Sequence, residues 1–199
     1  MADTKISAMP SATTPLTGAE LVPLVQSGVN VQTPISTYND FVRDSYFNHG
    51  AFSSDADQTG SITAGTAMTF TSTDITGGVT LASGSQLTVP VTGDYNVQFS
   101  AQFENVENTQ EIVTIWFRIN GVDVPKSATN VTIPARKSAG IFGYGVASWN
   151  IFLSMTAGQY VEIMWLPTVA TLTLQHLPAG TTPAYPAIPS VIATVNQVS

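Results

Sequence analysis

Gly93-Asp-Tyr-Asn-Val-Gln-Phe-Ser-Ala-Gln-Phe103 alternates between apolar and polar side chains without a break from Tyr95 onward. A period of two is the signature of a β-strand with one buried face. Residues 112–119 carry a similar pattern, and the Asn120-Gly121 pair that follows them is a favoured two-residue hairpin turn. These stretches predict antiparallel strands that cover a core.

The rest of the chain after residue 48 has the same texture, since short apolar runs alternate with turn residues. Only 10% of all residues are charged and 43% are hydrophobic, which favours strands whose outer faces carry Ser, Thr, Asn and Gln. The fold class predicted is all-β, an antiparallel sandwich or barrel. Further strands are predicted at residues 67–71, 79–81, 86–91, 131–133, 149–153, 160–166, 169–174 and 190–198.

The composition argues against several functions. Six Lys and Arg stand against 13 Asp and Glu, so no basic patch is available for phosphates and binding of nucleic acid is disfavoured. The absence of cysteine excludes disulfides, thiolate zinc sites and cysteine nucleophiles. The first residues lack the apolar core of a signal peptide, and no apolar run reaches the about 18 residues of a membrane span, so we expect neither secretion nor a membrane partner.

Residues 1–36 differ from the rest, because four prolines and two glycines interrupt any long helix or central strand. They predict an extended arm, with a disordered tail as the alternative. A compact apolar run in this arm suits a segment that adds a strand to a partner or fills a groove on it. The anchoring residues predicted are Ile6, Leu21, Val22, Leu24 and Val25.

A short helical neck is predicted at residues 37–48, where Ser36 or Thr37 can cap the first turn. Its apolar side chains recur at helical spacing, at Tyr38, Phe41, Val42 and Tyr46. A helix of about three turns is marginal alone, so this stripe needs a second surface, either the next domain or copies of itself. Residues 49–199 then form one β domain.

Four bulky side chains lie on the second face of the predicted strands, where a sandwich needs no apolar residues. They are Trp116, Phe152, Tyr160 and Met164. Large apolar patches mark interaction sites, so we interpret these residues as one sheet face covered by another subunit. Trp116→Asp should then yield monomers or insoluble chains. The alternative is a cover formed by loops such as residues 138–146.

Groups that could bind a metal are few. His49, in a loop before the first strand, and His176, at the end of another strand, have no metal-ligand spacing between them. Asp55 and Asp57 could offer oxygens to a hard cation such as calcium, although two carboxylates without a glycine-turned acidic loop are more typical of an ordinary turn. We therefore expect no metal and no cofactor.

Catalytic motifs are equally scarce. No nucleophile elbow or phosphate-binding loop occurs, and Gly143-Tyr144-Gly145 is interpreted as part of a flexible loop. A hydrolase that uses two carboxylates is the enzymatic alternative, for which Glu162 is one of few acidic residues within a strand. We expect no enzyme.

Four segments resemble the C1q/TNF-like jelly-roll family, and they occur in that family's order. GSQLTVPVTGDYNVQFSAQF at residues 84–103 resembles a strand ending in V-P-x-x-G that is followed by Y-x-x-x-F-S. The other segments are IWFRING at residues 115–121, WNIFLSMTAGQYVEIMW at 149–165 and PAIPSVIATV at 186–195. The resemblance covers residues 48–199 and implies a compact homotrimer of jelly rolls, in agreement with the second-face residues.

The arm resembles the N-terminal attachment segment of tailed-phage fibre and head-appendage proteins. The similar segments are KISAMP at residues 5–10, LTGAELVPLVQSG at 16–28 and TPIS at 33–36. The resemblance implies a non-enzymatic virion protein, a head-fibre or capsid-decoration knob on the virion surface, made in the bacterial host cytoplasm. Its partners would be itself and a capsid, collar or tail protein.

A second function remains open from the sequence. The knob would then be the receptor-binding tip of a tail fibre, and a loop at residues 138–148 would hold a host surface glycan. Phe142 and Tyr144 in that loop are suited to stacking on a sugar, although they are equally suited to packing within the loop.

Overall fold

The computed structural model describes residues 16–199, apart from the side chains of residues 43–46. The chain divides after Ser45 into two compact units. We call the described part of the first unit, residues 16–45, the arm, and the second, Tyr46–Ser199, the knob.

The arm consists of a β-hairpin and a helix. Strands β1 (Leu21–Gln26) and β2 (Val29–Pro34) pair antiparallel, and helix α1 follows directly at Ile35–Tyr46. A short helix is therefore confirmed, and it lies at residues 35–46 instead of the expected 37–48. Its first amides are satisfied by the loop before β1, since Ile35 N donates to Glu20 O (2.8 Å) and Ser36 N donates to Gly18 O (3.1 Å).

The first strand of the hairpin pairs within the arm, not with a partner protein as we expected. We expected residues 21–25 to add a strand to a partner, whereas they pair with β2 of the same arm. Ser27 and Gly28 have φ of 52° and 77°, which closes the two-residue turn that matches strand twist. Pro23 is tolerated because each strand of a two-stranded sheet has one edge without a partner strand, where a missing N–H costs nothing.

The knob is a sandwich of two antiparallel seven-stranded sheets, which confirms the all-β fold class. A separate two-stranded ribbon is formed by residues 180–181 and 184–185. In chain order the strands are β3 (His49–Ser54), β4 (Gln58–Thr59), β5 (Thr66–Ala67), β6 (Ser72–Gly77), β7 (Thr80–Ala82), β8 (Gln86–Thr88), β9 (Gly93–Asn105), β10 (Glu111–Ile119), β11 (Val122–Asp123), β12 (Thr129–Ile133), β13 (Gly143–Met155), β14 (Tyr160–Pro167), β15 (Leu172–Leu174), β16 (Gly180–Thr181), β17 (Ala184–Tyr185) and β18 (Val191–Gln197).

Each sheet is built around one long strand. In the first, which we call the β9 sheet, β13 pairs along one edge of β9 while β18 and β15 share its other edge. Strands β3 and β6 continue this sheet beyond β18, and β4 continues it beyond β15. In the second, the β10 sheet, β10 lies between β14 and the pair β11 and β12, while β8 and β5 pair with the far edge of β14 and β7 follows β8.

The core lies between the two sheets. The odd positions from Tyr95 to Phe103 of β9 are all buried, as the alternation predicted. Phe99 meets Phe117 of β10 at a ring-centroid distance of 5.9 Å, and Phe103 meets Trp165 of β14 at 5.8 Å. Such tilted and edge-on aromatic pairs join the sheets across the sandwich.

The predicted hairpin at Asn120-Gly121 is also present. Both residues have positive φ, 48° and 79°, and they join β10 to β11. Three strands of the β9 sheet, β3, β4 and β6, were not predicted, and His49 begins β3 instead of lying in a loop.

The start of β13 corrects a further expectation. Gly143 to Ser148 belong to this strand and not to a flexible loop. The glycines are present because the chain that follows β12 passes close by: a Cβ on Gly143 would overlap the Pro134 carbonyl, and one on Gly145 would lie 2.6 Å from Ile133 Cδ1.

Candidate assembly surface

The outer face of the β9 sheet is broad and uncharged along its middle. Cross-strand neighbours on β9, β13 and β18 form rows across it, for example Phe152, Asn96 and Asn196. We call this the assembly face, and its residues are Asn96, Gln98, Ser100, Gln102, Val146, Ser148, Asn150, Phe152, Ile192, Thr194 and Asn196. None of these side chains carries a charge.

Exposed apolar side chains border the amides and hydroxyls of the assembly face. Phe152 is 63% exposed and Val146 is 61% exposed, and Ile192 lies on the other side of the polar rows. Asn150 Nδ2 donates to Asn96 Oδ1 at 3.0 Å, so two of the amides are fixed within the face. Two shallow grooves of about 290 and 220 Å³ run on either side of Gln98.

Strand β13 forms one edge of the assembly face. Among the described strands it pairs with β9 alone, over all 13 of its residues. Charged side chains and proline commonly protect an edge strand from pairing with another chain. The sequence of β13, GYGVASWNIFLSM, contains neither. An edge of this length and composition is suited to contact with another chain.

The four second-face residues do not share a surface. Phe152 lies on the assembly face, whereas Trp116, Tyr160 and Met164 lie on the outer side of the β10 sheet. Met164 is only 2% exposed, so one chain already covers it. Tyr160 is half-buried beside the hairpin turn, where Asn120 Oδ1 accepts from its backbone amide at 3.0 Å.

Trp116 and Met164 are covered by residues 60–66, which we call the cover segment. Strand β5 pairs with β14 opposite Met164, and Gly65 just before it lies so close to Trp116 that a Cβ there would overlap the indole ring. Burial within one chain corrects our interpretation of Met164, whereas Trp116 is only half-buried and stays a predicted interface residue. A cover formed by the same chain was the alternative, but we expected it from residues 138–146.

Asp123 fixes the polar edge of the Trp116 ring. Its Oδ1 accepts from Trp116 Nε1 and from Arg118 Nε, each at 2.8 Å. The hydrogen bond from Trp116, followed by that from Arg118, holds the pKa of Asp123 below its ordinary value. These two hydrogen bonds link Trp116 and Arg118 of β10 to Asp123 of β11 within one chain.

The residues predicted for glycan stacking lie in different settings. Phe142 is half-buried and precedes β13, whereas Tyr144 lies within β13 and keeps an exposed ring. The Tyr144 hydroxyl donates to Glu104 Oε2 at 3.0 Å, and Glu104 is only 8% exposed. Burial, followed by the Glu104 carboxylate, raises the pKa of Tyr144. The loop expected at residues 138–148 therefore ends at Phe142.

The aspartates considered as calcium ligands form hydrogen bonds to distant segments of the knob. Asp55 Oδ1 accepts from the Thr71 hydroxyl, and this hydrogen bond is the main cause that lowers the pKa of Asp55. Asp57 Oδ1 accepts from the backbone amide of His176 at 2.8 Å. Within residues 16–199, no group of three or more His, Cys, Asp or Glu side chains comes together to hold a metal ion.

Glu162, the strand carboxylate considered for hydrolysis, is buried on the outer side of the β10 sheet. Its Oε1 accepts from the Ser85 hydroxyl at 2.7 Å.

Among the described residues, no helix is long and apolar enough to cross a membrane.

The predicted anchoring residues lie on two faces of the arm hairpin. Leu21 and Val25 are exposed, whereas Val22 and Leu24 are half-buried on the opposite side of β1. Ile6 lies outside the described residues. An apolar surface is therefore present on both sides of the hairpin.

Comparisons with known proteins identify the fold. No protein-family model matches the chain, and no curated protein matches it in sequence. A solved structure does match: "Structure of Eiger TNF from S. frugiperda" covers 77% of this chain and 94% of its own, with a TM-score of 0.51 and 9% sequence identity. The knob has a TNF-like jelly-roll fold, and at this identity the match concerns the fold alone.

Proposed function

We propose that this chain is a non-enzymatic structural protein of a bacteriophage virion, a homotrimeric head-fibre or decoration knob anchored to the particle by its N-terminal arm. The observation that carries the proposal is the assembly face, a sheet surface with no charge along its middle that is bordered by an uncharged 13-residue edge strand.

Removing water from the assembly face has a low free-energy cost. Burial of an unpaired charge carries a large desolvation cost, whereas amides and hydroxyls can pair across an interface. Burial of Phe152, Val146 and Ile192 then stabilises the complex, at about 25 cal/mol per Å² of apolar surface. A contact with a copy of the same chain satisfies these requirements.

A closed ring is the proposed form of the assembly. When the β13 edge of one copy meets the assembly face of the next, the contact joins two different surfaces, and a head-to-tail contact of this kind generates a ring if its rotation closes. The C1q/TNF-like motifs of the sequence imply that this ring has three members. A ring also covers an edge strand that has no charge to protect it.

The virion role is supported by the arm. Its sequence resembles phage attachment segments, and Leu21 and Val25 expose apolar surface on one side of the hairpin. Exposed apolar side chains on a small unit are suited to docking on a capsid, collar or tail protein.

Cryo-electron microscopy of the particle that carries this chain tests the proposal. We expect threefold-symmetric knobs on the head, with the arms laid over capsid subunits. Density at a fibre tip would instead favour receptor binding, and particles without any density for the chain would contradict the virion role.

A further inference from the structure

The arm has an apolar groove but no buried core. A groove of about 510 Å³ lies between the hairpin and α1, lined mainly by Leu24, Val31, Thr37, Tyr38 and Phe41. None of its lining residues is charged. Tyr38 is 51% exposed and Phe41 is 67% exposed, and not one side chain of residues 16–42 is buried.

Such a unit needs a second surface. A two-stranded hairpin is marginally stable in water, and so is an isolated helix of 12 residues. Each normally becomes stable by packing its apolar side against another element. Here hairpin and helix contact each other, yet both keep their apolar side chains largely in solvent.

We propose that the arms of other copies of this chain fill the groove, so that the arm is a second self-association site beside the knob. This inference rests on the proposed function. Only Phe47 and Asn48 separate α1 from β3 of the knob, so an assembly of knobs holds its arms at a high local concentration.

The helix carries the chemistry for this contact. Tyr38, Phe41 and Val42 occupy positions i, i+3 and i+4, which form one stripe along α1. The stripes of two copies can pack against each other, because neither copy brings a charged side chain into the contact. Aromatic residues are also enriched among those that dominate binding energy at interfaces.

Two other occupants are less suitable. Residues 1–15 contain only Met1, Ile6 and Met9 as bulky apolar side chains, which is little apolar surface for a groove with two exposed aromatic rings. A virion protein does not need the groove for its contact with the arm. It can bind Leu21, whose side chain is exposed and is not part of the groove.

Cysteine cross-linking of the full chain tests the inference, because the natural sequence has no cysteine. Thr37→Cys places a thiol on the groove, and Asn39→Cys is the matched control two residues away, outside the groove lining. With a short bis-maleimide, we expect Thr37→Cys to join chains about tenfold faster than Asn39→Cys, since a contact between arms through the groove brings the thiols at position 37 together and not those at position 39. Adding Phe41→Ser to Thr37→Cys should abolish the difference.

Equal cross-linking rates for the two single variants would overturn the inference. So would cross-linking of Thr37→Cys that begins only after deletion of residues 1–15, because the chain's own first residues would then occupy the groove. The mass of each variant in solution separates the two proposals. If the two variants cross-link at equal rates and both have the mass of a trimer, only the proposed contact between arms is contradicted. If they cross-link at equal rates and have the mass of a single chain, the proposed trimer of knobs is contradicted as well.

Discussion

The indole ring of Trp116 lies against Gly65, in the space that the side chain of any other residue at position 65 would enter. Trp116 is fixed at its other edge by the hydrogen bond from Nε1 to Asp123. A bulky residue on the outer side of a sheet is therefore enclosed by a glycine of the cover segment and a carboxylate of the neighbouring hairpin. This contact gives Trp116 a packing role within the folded chain.

Gly65→Ala is expected to destabilise the knob. Its methyl group must displace the Trp116 ring or the cover segment, and overpacking of this kind costs about 1–3 kcal/mol. Denaturant unfolding measures the loss, and tryptophan fluorescence should report a more exposed indole. Ala64→Ser, an exposed neighbour, should change stability by less than about 0.5 kcal/mol. Equal stability of Gly65→Ala and the parent chain would contradict this packing.

Tyr144→Phe is expected to destabilise the knob through Glu104. The substitution leaves a carboxylate that is 8% exposed without its hydroxyl donor, which costs about 1–3 kcal/mol. Tyr185→Phe, at an exposed tyrosine, is the control and should be neutral. Ultraviolet titration should place the pKa of Tyr144 above its ordinary value of 10.0. Glu104→Gln should lower that pKa only in part, since burial is the larger cause.

The arm should lose stability in acid through Glu20. Hydrogen bonds from the Thr17 amide and hydroxyl, with a further one from Gly18 N, lower the pKa of Glu20 from 4.5 to about 2. Because the pKa in the folded arm is the lower one, this stabilisation is complete above pH 4.5 and is lost as the pH falls toward about 2.

Nuclear magnetic resonance measures this titration at the amides of Thr17 and Gly18. Their signals should report a midpoint near pH 2 in the parent chain, and Glu20→Gln should remove the transition. A midpoint at the ordinary pH of 4.5 would mean that the carboxylate is not held by these donors.

Phe152→Asp is expected to dissociate the proposed trimer of knobs. The substitution places a charge on the assembly face, and burial of that charge without a partner is strongly unfavourable. Val122→Asp is the control, since Val122 is also exposed but lies on the β10 sheet. Sedimentation should give single chains for Phe152→Asp, with an unchanged circular dichroism spectrum, and trimers for Val122→Asp. Trimers of Phe152→Asp would exclude this face as the contact.

The alternation of the sequence was sufficient to predict strands β9 and β10. In β9 each odd position from Tyr95 to Phe103 is apolar and buried, because alternation directly follows the geometry of a strand. The hairpin turn was predictable for a similar reason, since Asn120 and Gly121 both tolerate the positive φ that it requires. Local rules of this kind depend only on neighbouring residues.

The candidate site was less predictable, because it depends on contacts between distant segments. Trp116 and Met164 are covered by small residues around Gly65, whose sequence has no apolar pattern. Tyr144 was placed in a loop because Gly143 and Gly145 are typical of loops. Here those glycines accommodate Pro134 and Ile133, which the sequence alone does not bring near. Phe152 remains as the predicted interface residue that lies exposed on the assembly face.

We propose that the knob associates into a trimer through the assembly face. Sedimentation equilibrium of the full chain in solution measures this association directly. We expect a single species with three times the chain mass of 21.0 kDa. A species of 21.0 kDa at all concentrations would contradict it, because the assembly face would then remain open to solvent.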